Sequence, residues 1–148
     1  MDILKTAYQV RNDQNKSFIR GFAGRILNIR DIMSQTIPKK LFSPYMDQTA
    51  MPMLKNYGLE IDLSMTRAER RAQSDLIYTL ENNSQIVNQI AALGREYYTE
   101  HSLTEVYFPY LKTLFYFEGD EQLYNNVRKR LDTTKDPSER NTLIMTIG

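Results

Sequence analysis

Cysteine and tryptophan are absent from the 148 residues, and histidine occurs once, at His101. Without cysteine there is no disulfide, no thiolate nucleophile and no thiolate metal site, and the chain fits a reducing compartment. One histidine leaves at most one imidazole for a metal or a catalytic triad, and the neighbouring Glu100 and Glu105 match no ligand spacing. Long apolar runs are missing too: no stretch approaches the roughly 20 residues that span a bilayer. The start, Met1 to Lys5, lacks the charged and apolar pattern of a secretion signal. No Walker loop, dinucleotide fingerprint, zinc pattern or nucleophile elbow occurs, and Gly21-Phe22-Ala23-Gly24 is not a phosphate cradle by itself. These absences lead to the expectation of a cytoplasmic protein, or one within a virion or assembly if phage-encoded, that is not an enzyme and carries no cofactor or metal.

What is present is ordinary in bulk and uneven in distribution. The 41% apolar and 25% charged fractions are those of a globular protein, and a chain of this length buries roughly two-thirds of its unfolded surface. Residues 1–57 carry nine basic side chains against four acidic ones, a net of +5, whereas residues 58–148 carry ten basic against fourteen acidic, a net of −4. Such asymmetry points to an interaction arm or a partner-facing surface. Seven methionines and ten tyrosines suit adaptable contact surfaces as well as cores.

Periodicity organises the chain into mostly helical segments. Ile19, Phe22, Ile26, Ile29 and Met33 draw one apolar stripe over residues 17–37, with Asn15 or Ser17 as cap and Pro38 as stop. Gly21 and Gly24 weaken that helix by about 1 kcal/mol each relative to Ala and leave a pair of strands turning there as the competitor. Residues 37–58 contain Pro38, Pro44 and Pro52 among many apolar side chains, which predicts an extended, irregular strap rather than a free linker. Tyr57, Leu59, Ile61, Leu63 and Met65 alternate with Gly58, Glu60, Asp62 and Ser64, the pattern of a half-buried strand, with Asn141–Ile147 or another chain as partner.

Beyond the strand pattern, Thr66 and Glu69 form a capping box that opens a helix. It runs to about residue 99 or breaks at Asn82-Asn83-Ser84 with Ser84 capping a second helix. Pro109 suits the first turn of a helix ending at Gly119, Asp120 opens another, and Asp136-Pro137-Ser138 signals a turn. The expected fold is mainly α: a helical body of three to five helices over 57–148 with room for one short β-strand pair. A basic amphipathic helix and the Pro/Met-rich strap occupy 1–56, within one compact domain overall.

Candidate functional residues fall into two groups. Phe42, Tyr45, Met46, Met51, Met53 and Leu54 of the strap are candidates for partner binding. Arg20, Arg25, Arg30, Lys39, Lys40, Arg67, Arg70 and Arg71 are candidates for contact with phosphate or an acidic partner. Arg67, Arg70 and Arg71 sit where the helix dipole opposes positive charge, which hints at an acidic group from elsewhere. Glu118, Asp120 and Glu121 match no calcium loop, and Arg128-Lys129-Arg130 sit at the helix end where cations belong. The aromatic run 107–117 has only Lys112 interleaved, which suits a core better than base stacking. The reading is a non-catalytic assembly or adaptor protein making protein–protein contacts, as a homo-oligomer or a component of a larger particle such as a phage assembly. The alternative is a nucleic-acid-binding protein using the arginines and lysines of residues 16–71.

Overall fold

A computed structural model describes residues 3–12 and 14–148. Asp2 and Asp13, counted in the charge split, lie outside the described residues. The described residues form eight α-helices and one short 3-10 turn, with no β-strand. They are α1 (Ile3–Gln9), α2 (Lys16–Thr36), α3 (Lys39–Lys55), α4 (Arg67–Thr79), α5 (Ser84–Glu100), the turn Glu105–Tyr107, α6 (Phe108–Glu118), α7 (Glu121–Thr133) and α8 (Pro137–Ile147). The count exceeds the expected body of three to five helices plus one N-terminal helix, because α1 and α3 are helices too.

The expected strap is the helix α3. Pro44 and Pro52 both lie inside it. A proline in a helix deprives the carbonyl four residues earlier of its donor, and those carbonyls belong to Lys40 and Gln48, both exposed residues. Both sites lie on the solvent side, where the loss costs least, and the helix continues. On its other side Phe42, Met46, Ala50, Met53 and Leu54 are buried, and that apolar face supplies the stabilisation.

The expected strand pair does not form either. Residues 57–65 are a loop held by side chains, and Asn141–Ile147 lies within α8. Gly58, at φ 76°, turns the chain after α3 in the left-handed region that favours glycine. The buried Gln73 of α4 donates to the carbonyls of Gly58 and Glu60, both at 3.0 Å, and Asp62 accepts from the backbone of Ser64 at 2.8 Å. Three backbone groups that a strand would pair, the carbonyls of Gly58 and Glu60 and the N–H of Ser64, are thus satisfied by side chains instead. The alternation also fails in space, since Leu63 is 70% exposed.

The long segment after Thr66 is two helices. The capping box forms as expected: Glu69 N–H donates to Thr66 Oγ1 at 3.3 Å, and Thr66 N–H donates to Glu69 Oε2 at 2.9 Å. α4 ends at Thr79, and Asn83, not Ser84, accepts the backbone N–H of Ile86 at 3.2 Å to open α5. Asp136 accepts from Ser138 N–H at 2.8 Å and Pro137 takes the first helical position, so the expected turn signal starts α8.

The chain divides into two compact units, residues 1–86 and 87–148. In the first, α2, α3 and α4 run up, down and up. Tyr57, just past α3, donates its hydroxyl to the Lys16 carbonyl at the start of α2 at 2.9 Å, so α3 returns along α2. A Cβ on Gly24 would sit 3.1 Å from Asp75 Oδ2, and Arg30 pairs with Glu81, so α4 runs parallel to α2. Ile19, Ala23, Ile26, Leu76 and Leu80 are among the side chains closing this core. The charge boundary at 57/58 therefore falls inside the first unit.

The second unit is closed by Ile90, Leu103, Tyr110, Leu111, Leu114, Val127 and Leu143. Gly94 of α5 lies against α6, where an added Cβ would stand 2.5 Å from the Tyr110 carbonyl oxygen.

Candidate functional site

In the first unit, part of the positive charge is spent internally. Arg30 is only 8% exposed; it pairs with Asp31 at 2.9 Å and with Glu81. Glu69 is held below the ordinary carboxylate range by the donors of Thr66, and the charges of Lys16 and Arg20 add to this. Burial pushes Asp75 up, with Arg71 opposing. Arg70 donates to the Met65 carbonyl and fastens the loop in front of its own helix. Charges of α2 therefore act on Glu69 at the start of α4 and on Glu81 just past its end. Arg20, Arg25, Lys39, Lys40, Arg67 and Arg71 remain exposed.

The six strap candidates divide by burial. Phe42, Met46, Met53 and Leu54 point into the unit's core, and Tyr45 and Met51 are half-buried. Tyr45 stacks on Tyr8 of α1, ring centroids 5.7 Å apart. Other apolar groups of the unit reach solvent: Phe18 and Leu63 singly, and Ile32 at 64% and Leu41 at 67% with Ile37 between them in sequence. The last three belong to the corner where α2 passes into α3, beside exposed Lys39 and Lys40. α3 begins there without a side-chain cap and with no acidic residue in its first turn. The sequence signal for this patch was available: on α2, Ile32 lies off the stripe drawn by Ile26, Ile29 and Met33.

The second unit is organised by an ion pair. Arg130 donates through Nε to Glu139 Oε1 at 3.0 Å and through Nη2 to the His101 carbonyl at 2.6 Å, and its Nη1 reaches the Tyr98 carbonyl. Glu139 also accepts from the Leu103 backbone at 3.2 Å and from Thr134. Burial pushes this carboxyl up, but the donors of Thr134, Arg130 and Leu103 outweigh it and hold it below the ordinary value of 4.5. One carboxylate and one guanidinium thereby join the end of α5, the loop after it, α7 and α8. Neither partner is visible as a pair from sequence beyond Arg130 lying in a basic run.

Near the α6–α7 corner, Arg95 pairs with Glu118 beside an open cleft of about 300 Å³ lined by Tyr98, Leu114, Asp120, Gln122 and Asn126. Asp120 is already used as the cap of α7, accepting from Leu123 N–H at 2.7 Å. Tyr116 is 77% exposed and Phe117 lies against it edge to face, centroids 4.8 Å apart. Tyr124, in the first turn of α7, is exposed as well. Of the aromatic run 107–117, expected in the core, Tyr107, Tyr110, Leu111 and Leu114 are buried, whereas Tyr116 and Phe117 lie outside it.

His101 is exposed, with its ring stacked on Tyr107 at 5.5 Å. Among the described residues no group of three or more histidine, aspartate and glutamate side chains is placed to hold a metal ion. No described helix is long and apolar enough to cross a membrane. Comparison with known proteins finds no matching family model, no matching curated protein and no matching solved structure.

Proposed function

We propose that this chain is a non-catalytic assembly or adaptor protein that works through protein–protein contact. The observation that carries the reading is the α2–α3 corner, where Ile32, Ile37 and Leu41 stay in water beside Lys39 and Lys40. A large aliphatic side chain left fully exposed forgoes about 1.5–3 kcal/mol of burial, and exposed aliphatics gathered in one short stretch of a folded unit favour a contact surface. The nucleic-acid reading has less behind it, because Arg30 is paired with Asp31 and Glu81 and Arg70 is committed to the Met65 carbonyl.

The test is retention of proteins from the source organism by the immobilised chain, itself included. Wild type is expected to retain a partner, and Ile32→Ser/Leu41→Ser to lose it while keeping its helical circular dichroism. Retention unchanged by the double substitution overturns the reading. Retained material that absorbs as nucleic acid, and that salt releases steeply, favours the alternative.

A further inference from the structure

We infer that the partner is a second copy of this chain, joined head to tail through two unlike corners. This rests on the assembly reading above and names the partner it leaves open. The first corner is the α2–α3 turn, with Ile32, Ile37 and Leu41 exposed beside Lys39 and Lys40. The second is the α6–α7 turn, with Tyr116, Phe117 and Tyr124 exposed beside Glu118, Asp120 and Glu121.

Charge selects the pairing. Residues 32–46 contain no acidic side chain, and residues 113–127 contain no basic one. Arg95 neutralises part of the acidic corner through Glu118, and three carboxylates against one guanidinium leave it negative. Close to the basic corner, Asp31 and Glu81 are already held by Arg30. Lys39 and Lys40 occupy the first turn of α3, where the helix dipole disfavours cations, and no acidic side chain of that turn offsets them. Leu41 N–H already donates to the Pro38 carbonyl at 2.9 Å, and carboxylates from outside would relieve the lysines and the N–H groups of Lys39 and Lys40. Aromatic edges of Tyr116 and Phe117 supply apolar area to cover Ile32 and Leu41, and burying such anchors within a charged rim is how specific interfaces are built.

Two copies of one corner would bring like charges together, so a symmetric contact is disfavoured and the unlike corners pair. A contact between different surfaces of identical chains leaves one of each free at the ends. The product grows until it closes as a ring or continues as a filament.

The test is light scattering of purified full-length protein over a wide range of concentration at low and high salt. Wild type is expected to rise in mass with concentration and to fall back as salt screens the corners. Lys39→Glu/Lys40→Glu makes both corners negative, and Glu118→Lys/Glu121→Lys makes the second corner positive like the first. Each variant alone should remain a single chain with unchanged helicity, and an equimolar mixture should assemble again, because every negative corner then meets a positive one. If either charge variant unfolds, Leu41→Ser and Tyr116→Ser replace them, each expected to abolish the rise in mass. Wild type that stays a single chain throughout, or a mixture that fails to assemble, overturns the inference. If that single chain still retains a different protein through Ile32 and Leu41, the assembly reading stands; if it retains nothing, both fall.

Discussion

Gly21 and Gly94 are both helical glycines, and they should respond oppositely to the same methyl group. Nothing lies within 4 Å of a Cβ built on Gly21, so Gly21→Ala relieves a helix-interior glycine and should stabilise by up to about 1 kcal/mol. At Gly94 the Cβ would meet the Tyr110 carbonyl oxygen at 2.5 Å and Leu114 Cβ at 3.2 Å. Gly94→Ala must push α6 away and should destabilise by about 1–3 kcal/mol. Urea titrations of the two variants followed by circular dichroism check both signs. At this scale the sequence is legible where the partner is local. The caps at Asn15, Thr66 and Asp120 follow from side chains two or three residues from the donors they satisfy. Arg30 and Arg130 are not legible, because their partners Glu81 and Glu139 are chosen by packing, and Glu81 is 51 residues away.

The helix α3 shows why an element can be misread by its breakers. Phe42, Met46, Ala50, Met53 and Tyr57 recur at spacings of three and four, a helical stripe that the prolines outvote in a local reading. Tertiary burial of that stripe exceeds the penalty of two missing donors on the wet side. Pro44 is exposed, so Pro44→Ala restores an N–H for the Lys40 carbonyl without touching the core. It should stabilise the first unit by about 1–2 kcal/mol, the interior penalty of about 3 kcal/mol less the entropy regained by the unfolded chain. A higher denaturant midpoint at unchanged slope would show it. The loop 57–65 is the converse error. Its alternation is real in the sequence, but a strand needs a neighbouring backbone, and Gln73 satisfies the loop first.

Acid should act on the whole molecule unevenly. The Glu139 carboxyl is held below its ordinary value, so its contribution is complete above about pH 4.5 and is lost as pH falls through the lower folded value. Asp47 and Asp75 have the opposite sign: burial raises them, the folded state favours the proton, and their ionisation cost is relieved as pH falls. Glu139→Gln should therefore cost about 2–3 kcal/mol at neutral pH, and the gap to wild type should close in acid. Denaturation at a series of pH values, read by amide exchange in 87–148, checks this. The charge split that dominates the sequence becomes, in the folded chain, a buried Arg30 paired with Asp31 and Glu81 and a Glu69 biased by Lys16 and Arg20, while Arg20, Arg25, Lys39, Lys40, Arg67 and Arg71 stay on the surface. The pairs could not be foreseen, since charge totals carry no information on which helices lie side by side.

The parallel course of α2 and α4 has a consequence for synthesis. Parallel neighbours require a return element between them, and here the return is the whole of α3. The residues of α4 that cover Ile19, Ala23 and Ile26 of α2 are made about fifty positions later, which at about 5–20 residues per second is an interval of several seconds. During that interval the α2 stripe has only α1 and α3 to meet. The nascent chain is then most open to a chaperone, or to the same stripe on the neighbouring nascent chain of a polysome.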